Sequence, residues 1–364
     1  MRAALYAPDL TMLGYLPTLS GTVVLRRNQV STFALDVNAD HHGWGRFRKG
    51  QRVVISDDTG QLLAGPIRGL SHEYAGGART VTVSGVCDLA DVQGRVTYPN
   101  PAQVASAQSA GYYNRTGNAG RLITDLVRLN AGQDALGLRQ ALHVEVGDMG
   151  PLRSINTRFK PLLDETLALA GQEVTYRTWQ DDQTRFGLYA QRDLTRHVRL
   201  SPESGTVTGY TLKDDAPEVT QVYVAGQGEG AARTIRIVSG NASEWGVRAE
   251  EFRDRRDTDD STELQQAGEE RIAEGAAKQS VNLTLADHPR RKFGQHFQLG
   301  DTITVNLGAD GTIQDIVQSA EITFGESGRE VKLQVGPTLE DLDSPRWVSH
   351  YRDLRRDIRA LQTR

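Results

Sequence analysis

The residues whose types and spacing best suit chemistry are Gly226, Gly228 and Gly230, alternating in Gly226-Gln-Gly-Glu-Gly230 after an apolar strand pattern. Such a loop grips a pyrophosphate when a helix follows, because the first helical amides face the anion. Here Arg233-Thr-Ile-Arg-Ile-Val238 follows, which is a strand pattern, so the glycines read as a hairpin tip. His143-Val-Glu145 has the spacing of a zinc deaminase, but that centre also needs paired cysteines downstream. Cys87 is the single cysteine of the chain. One cysteine excludes an intrachain disulfide, a CxxC redox pair and a thiolate zinc cage; Cys87 reads as a small buried residue at a strand end. His41 and His42 precede Gly43-Trp44-Gly45, and adjacent side chains on extended chain point apart, so no shared metal is expected. Arg253-Asp-Arg-Arg-Asp257 reads as a solvated, self-neutralising turn. The sequence contains no HExxH pair, G-x-S-x-G elbow or P-loop. The expectation is therefore no catalytic, metal or cofactor-binding residue, no cofactor and no enzymatic activity.

Bulk properties narrow the classes further. The chain has 364 residues, enough for two or three domains, with 38% hydrophobic residues, 37 glycines and a net charge of -4. Proteins that grip nucleic acid through its phosphates usually carry a basic excess, so no sequence-specific nucleic-acid partner is expected. No apolar run approaches the roughly 18 residues of a membrane span, and Met1 to Leu10 lacks the basic head and apolar stretch of a secretory signal. Membrane insertion is not expected.

The elements that would position any site are mainly β. Gly21–Leu25, Thr32–Val37, Arg52–Ser56, Gln61–Leu63 and Thr80–Ser84 are short strand patterns, with Asp57-Asp-Thr-Gly60 as a hairpin turn. Residues 97–120 read as a linker rich in Pro, Ala, Ser, Gln and Gly. Helical spacing starts at Ala119, and a second helix is predicted from Pro161 to Ala170, closed by Gly171. Glu173–Trp179 and Arg185–Tyr189 form a hairpin around Asp181-Asp182, and Leu142–Val146 reads as a strand. Strands resume at Gly209–Leu212, Thr220–Ala225 and Thr234–Val238, followed by a helix over 257–278 and a strand at Val281–Leu285.

One pattern occurs twice. Phe47, Gly50, Val53 and Ile55 lead through Gly60, Leu62 and Ile67 to Gly77, Val81 and Val83. Phe297, Gly300, Ile303 and Val305 lead through Gly311, Ile313 and Val317 to Gly328, Val331 and Leu333. The copies slip by one residue at two points. Either one β-module is duplicated, or two β-meanders share glycines and alternation. At the chain end Ser344-Pro345 suits a helix start. Trp347, Tyr351, Leu354, Ile358 and Leu361 then recur at heptad spacing. So short a helix is marginal alone; it lies on its own domain or joins copies in a bundle.

Ala216–Gly230, Arg248–Arg256 and Phe297-x-Leu-Gly-Asp-x-Ile-x-Val305 together resemble the minor tail proteins of long-tailed phages, which are similar to trimeric baseplate hub proteins. The resemblance covers roughly residues 1–340. It implies a mainly β fold with two similar small β-barrel domains and an inserted α+β domain, and three copies in a ring. The expected organisation is a first barrel over 1–97, the α+β domain over 98–200, a second barrel over 201–338 with a helix at about 258–278, and a heptad helix over 344–364. The implied function is a structural hub at the virion tail tip, a homotrimer matching a sixfold tail tube to a threefold tip. The implied neighbours are a distal tail protein or tube ring above and tip fibre or receptor-binding proteins below, with a tape measure protein in a neutral or acidic lumen. Assembly in the host cytoplasm is implied. Many relatives continue into fibre or wall-hydrolase domains; this chain stops at Arg364, so those activities are expected in other proteins. A carbohydrate-binding tail-tip protein and a cell-wall hydrolase with a dispersed site at 100–190 are the alternatives.

Overall fold

The computed structural model describes residues 1–38, 47–75, 78–240, 245–256, 258–286, 288, 290–326 and 328–337. His41, His42, Gly77 and the heptad positions Trp347, Tyr351, Leu354, Ile358 and Leu361 lie outside the described residues. The chain divides into two compact units. One is Met1–Tyr210 with Asn282–Val335, and the other centres on Thr211–Val281.

The first unit begins with seven strands: Arg2–Tyr6 (β1), Met12–Tyr15 (β2), Thr18–Arg26 (β3), Thr32–Asn38 (β4), Arg52–Asp57 (β5), Gly60–Ala75 (β6) and Ala78–Val86 (β7). Period-two patterning explains them. Along β4, Phe33, Leu35 and Val37 are buried and their neighbours are half-exposed, the alternation of a sheet with one face in the core. A short helix, Leu89–Gln93 (α1), follows.

Tyr113–Asn118 (β8), within the expected linker, pairs with Leu152–Thr157 (β10). Its Thr and Asn side chains face solvent, so composition disguised it as loop. Between them run Ala119–Asn130 (α2) and the two-residue His143–Val144 (β9), much shorter than the strand expected there. Leu162–Ala170 (α3) starts after Pro161 and ends at Gly171, whose φ of 50° terminates it. Thr175–Gln180 (β11) and Thr184–Tyr189 (β12) form the expected hairpin, and β12 also takes β9 in parallel.

Arg199–Leu200 (β13) and Val207–Asp215 (β14) come next. The second unit holds Gln221–Ala225 (β15), Ile235–Ser239 (β16) and Glu250–Asp254 (β17), with β15 central, and Ser261–Glu274 (α4). Its core is Val219, Val222, Val224, Leu264 and Ala267. The helix is shorter than its expected 257–278 span. The Asp260 carboxylate accepts from the Thr262 and Glu263 amides and sets the start, and Gly275 sets the end. Lys278–Leu285 (β18) then leads into Thr302–Asn306 (β19), Thr312–Gly325 (β20) and Gly328–Val335 (β21).

Strand order is β14-β18-β21-β20-β3-β4-β7-β6-β5-β1-β2, with β19 also on β20 and β13 on β19. Among the described residues no closed barrel is found. The two β-rich regions are instead joined into one continuous sheet through β3 and β20. The mainly β expectation holds.

Candidate functional site

The candidate site is the doubled β-module, built from the sheet's two corresponding halves. In the first, β5 pairs with the start of β6 (Arg52 opposite Pro66, Ile55 opposite Leu63), and β7 pairs with its end (Ala75 opposite Ala78). In the second, Thr302 lies opposite Ile316, Val305 opposite Ile313 and Gly325 opposite Gly328. The offset is 250 residues through these pairs, and the halves part only at the β5–β6 hairpin, where a bulge between Ile55 and Ser56 has no counterpart in β19. Both long strands also carry a bulge at the corresponding place, between Ile67 and Gly69 and between Val317 and Ser319. A bulge bends a strand, which lets one half of β6 or β20 serve one neighbour and the other half another.

The two slips expected from the sequence disappear in this register. Leu63, not Leu62, corresponds to Ile313, and Ala78 corresponds to Gly328. Glycine positions misled the alignment, because a turn needs a positive φ somewhere but not at one fixed residue.

The turn before each module repeats in atomic detail. Gly50 and Gly300 both have φ of 85°, a conformation that favours glycine. The Arg48 amide donates to the Gln51 side-chain oxygen at 2.7 Å, and the Gln298 amide donates to the Asp301 carboxylate at 2.9 Å. The Ile67 amide donates to the Gln51 carbonyl, and the Val317 amide donates to the Asp301 carbonyl, both at 3.0 Å. Val53, Ile55, Ile303 and Val305 are all fully buried. Phe297 is also buried, edge-on to Phe293 at 5.8 Å, whereas Phe47 is half-exposed.

Each module is tied to the region between them by its own charged group. Arg52 lies on Asp88 at 2.7 Å and donates to the Gln180 side chain of β11 at 2.9 Å. Burial lifts the Asp88 carboxyl to about 6, outweighing the lowering by Arg52; its second oxygen has no partner among the described residues. On the other side Asp301 takes Arg192 at 2.5 Å, and the Tyr189 hydroxyl donates to the Leu299 carbonyl at 2.6 Å. Between them Arg27 reaches Thr175 and the Val174 carbonyl, and the Tyr176 amide donates to Asn28 at 2.9 Å. Burial raises both the Tyr176 and Tyr189 phenols, so both stay neutral. These anchors are structural: apart from one Asp88 oxygen and the Gln180 side-chain nitrogen, their buried polar atoms are held by protein partners. The sequence signal for the turn caps was the Gly-Gln51 and Gly-Asp301 pair; for Arg27, Asn28 and Arg52 there was none.

His143 sits on β9 and is half-buried; Glu145 is exposed. Gly226, Gly228 and Gly230 lie between β15 and β16, a hairpin. Among the described residues no cluster of three His, Cys, Asp or Glu side chains could hold a metal ion. No helix among them is long and apolar enough to cross a membrane.

Family comparison addresses the whole chain. The Siphovirus ReqiPepy6 Gp37-like protein family matches residues 3–337. The chain belongs to this Gp37-like family. No curated protein matches it. Among solved structures it is similar to the 43 kDa tail protein of prophage MuSo2 from Shewanella oneidensis, with 12% identity, a TM-score of 0.62, and 92% of this chain and 98% of that chain covered. A tail protein from Neisseria meningitidis MC58 shares 10% identity at a TM-score of 0.61, over 92% and 96% of the two chains. Prophage tail protein gp18 from Listeria monocytogenes EGD-e shares 9% identity at a TM-score of 0.54, over 94% and 96%. At these identities the likeness is one of fold. The Gp37-like membership and the likeness of fold to these tail proteins agree with the resemblance drawn from sequence.

Proposed function

We propose that this Gp37-like chain is the structural hub of a phage tail tip, three copies of which match a sixfold tail tube to a threefold tip and line part of the DNA channel. The observation that carries this reading is the 250-residue register shared by the paired strands of the two modules outside the first hairpin, with its repeated long-strand bulge and turn. A chain that presents one backbone geometry twice offers a threefold ring six near-equivalent surfaces, which symmetry matching requires. In this reading the tube ring or distal tail protein sits above and fibre or receptor-binding proteins below, with the tape measure protein in the lumen. The role is structural rather than enzymatic. The barrel domains (1–97 and 201–338) would complete their closure in the assembled ring, around the α+β domain at 98–200. Trp347, Tyr351, Leu354, Ile358 and Leu361 would meet their counterparts on the threefold axis.

Light scattering tests the reading. The expected mass is three times the 40.0 kDa chain mass, and deletion of residues 344–364 lowers the trimer fraction. A monomer at high concentration contradicts self-assembly, and an unchanged trimer after the deletion contradicts the role of the heptads.

A further inference from the structure

Among the described residues the sheet leaves unpaired two edges that correspond, position for position, to the seam that already joins its halves. In the second module the end of β20 is covered on one side by β21 and on the other by β3: Phe324 lies opposite Gly21, Thr323 opposite Thr22 and Ser319 opposite Arg26. In the first module the end of β6 is covered by β7 alone. Its other edge, Gly69 to Tyr74, has no strand among the described residues. Its side chains are half-buried or exposed, with Leu70 at 41% and Tyr74 at 71% exposure.

The missing strand has a counterpart elsewhere in the chain. The order β3-β4-β7-β6-β5 of the first half matches β14-β18-β21-β20-β19 of the second. β14 therefore occupies the position of β3, yet among the described residues it pairs only with β18 and ends the sheet. Exposed unpaired edges invite another strand, and here the structure contains a template for the one that fits.

Side chains give the register. Gly21 lies opposite Leu35, and a Cβ on Gly21 would stand 2.8 Å from the Phe324 ring and 2.7 Å from Leu35. The glycine is required by the aromatic ring laid over it. The Ala286 amide donates to the Thr206 carbonyl at 3.0 Å; three residues along this antiparallel pair, Gly209 stands opposite Leu283, as Gly21 stands opposite Leu35. Around Gly209 nothing lies within 4 Å of the corresponding Cβ position. At the position 250 residues before Phe324 is Tyr74, aromatic and exposed. The molecule thus carries an open glycine on one edge and an uncovered aromatic on the other.

We infer that the β6 edge of one copy pairs antiparallel with β14 of a second copy, with Tyr74 over Gly209 of its neighbour and Glu73 opposite Tyr210. The pairing reproduces between chains the β3–β20 seam made within each chain. A head-to-tail contact of this kind makes a ring or an open filament. The inference rests on the proposed hub reading for its closure at three copies.

Paired cysteines test it in the full-length chain. Cys87 is buried, so Glu73→Cys with Tyr210→Cys adds the two accessible thiols. Under mild oxidation the double variant is expected to give disulfide-linked dimers and trimers on a non-reducing gel, and each single variant none. Gly209→Val, which fills the space left for Tyr74, is expected to weaken self-association at least tenfold with an unchanged melting temperature. Monomer bands only, from a double variant that light scattering shows to be trimeric, would overturn the edge pairing and leave the hub reading standing. Monomer bands from a chain that is also monomeric in solution would overturn both. Linked species extending past trimer would uphold the edge pairing and overturn closure at three.

Discussion

The two halves of the sheet share one backbone and differ in what stands against it. Away from the first hairpin, where β5 has a further bulge after Ile55, β5 to β7 and β19 to β21 have the same pairing, the same bulge on the long strand and the same preceding turn. Their side chains diverge wherever a different neighbour must be met. Phe297 is enclosed against Phe293, whereas Phe47 is half-exposed. The turn cap is neutral Gln51 in one half and charged Asp301 in the other, because Arg192 stands beside only the second. The next position is buried Arg52 in one half and Thr302 in the other, because Asp88 stands beside only the first. Geometry is held constant by hydrogen bonds and glycine φ, while packing and charge specialise each copy.

The largest expected break in this equivalence is at the aromatic positions. Phe297→Ala removes a fully buried ring and is expected to destabilise the protein by about 3–5 kcal/mol, while Phe47→Ala costs less than half as much. Chemical denaturation of the two variants measures the difference, and equal losses would mean that the second copy's core is no more enclosed than the first's. A smaller contrast is expected at the turn caps. Asp301→Ala frees the Gln298 amide and strands part-exposed Arg192, for about 1.5–3 kcal/mol, against about 1 kcal/mol for Gln51→Ala, which loses one neutral hydrogen bond. The contrast shrinks if Arg192→Ala is made first, and a double-mutant cycle reads that coupling.

The smallest effect is pH-dependent and belongs to the first half. Burial pushes the Asp88 carboxyl up to about 6 in the fold, from the ordinary carboxyl value of 3.8. Between these values the folded state binds more protons than the unfolded one, so this group's contribution to stability rises as pH falls from 6 towards 4 and is lost as pH rises through 6. Denaturation midpoints of the wild type and Asp88→Asn, compared across that window, should differ in slope: the variant lacks the acid-side gain.

Much of this was legible in the sequence for definite reasons. Alternation along Thr32–Val37 and Thr80–Ser84 marked strands, and Pro161 with Gly171 bracketed α3. The glycine-rich loop read correctly as a hairpin because Thr234–Val238 is a strand pattern. The shared pattern from Phe47 and from Phe297 was visible, but its register was blurred by aligning Gly60 with Gly311 and Leu62 with Ile313, where strand pairing sets Leu63 against Ile55. β8 was hidden by its polar composition, since Asn114, Arg115 and Thr116 face solvent. The β3–β20 seam was illegible, because residues about 300 apart in the chain pair through backbone groups that every sequence possesses. Arg27, Asn28 and Arg52 were likewise silent, since a buried arginine is known only from the carbonyls and carboxylates brought to it.

Electron microscopy of tail tips containing this chain tests the central claim most directly. The account predicts three copies around the channel, with residues 47–86 and 297–335 alternating at one radius and superposing after a rotation of about 60°. Modules at different radii, or a copy number other than three, would contradict it.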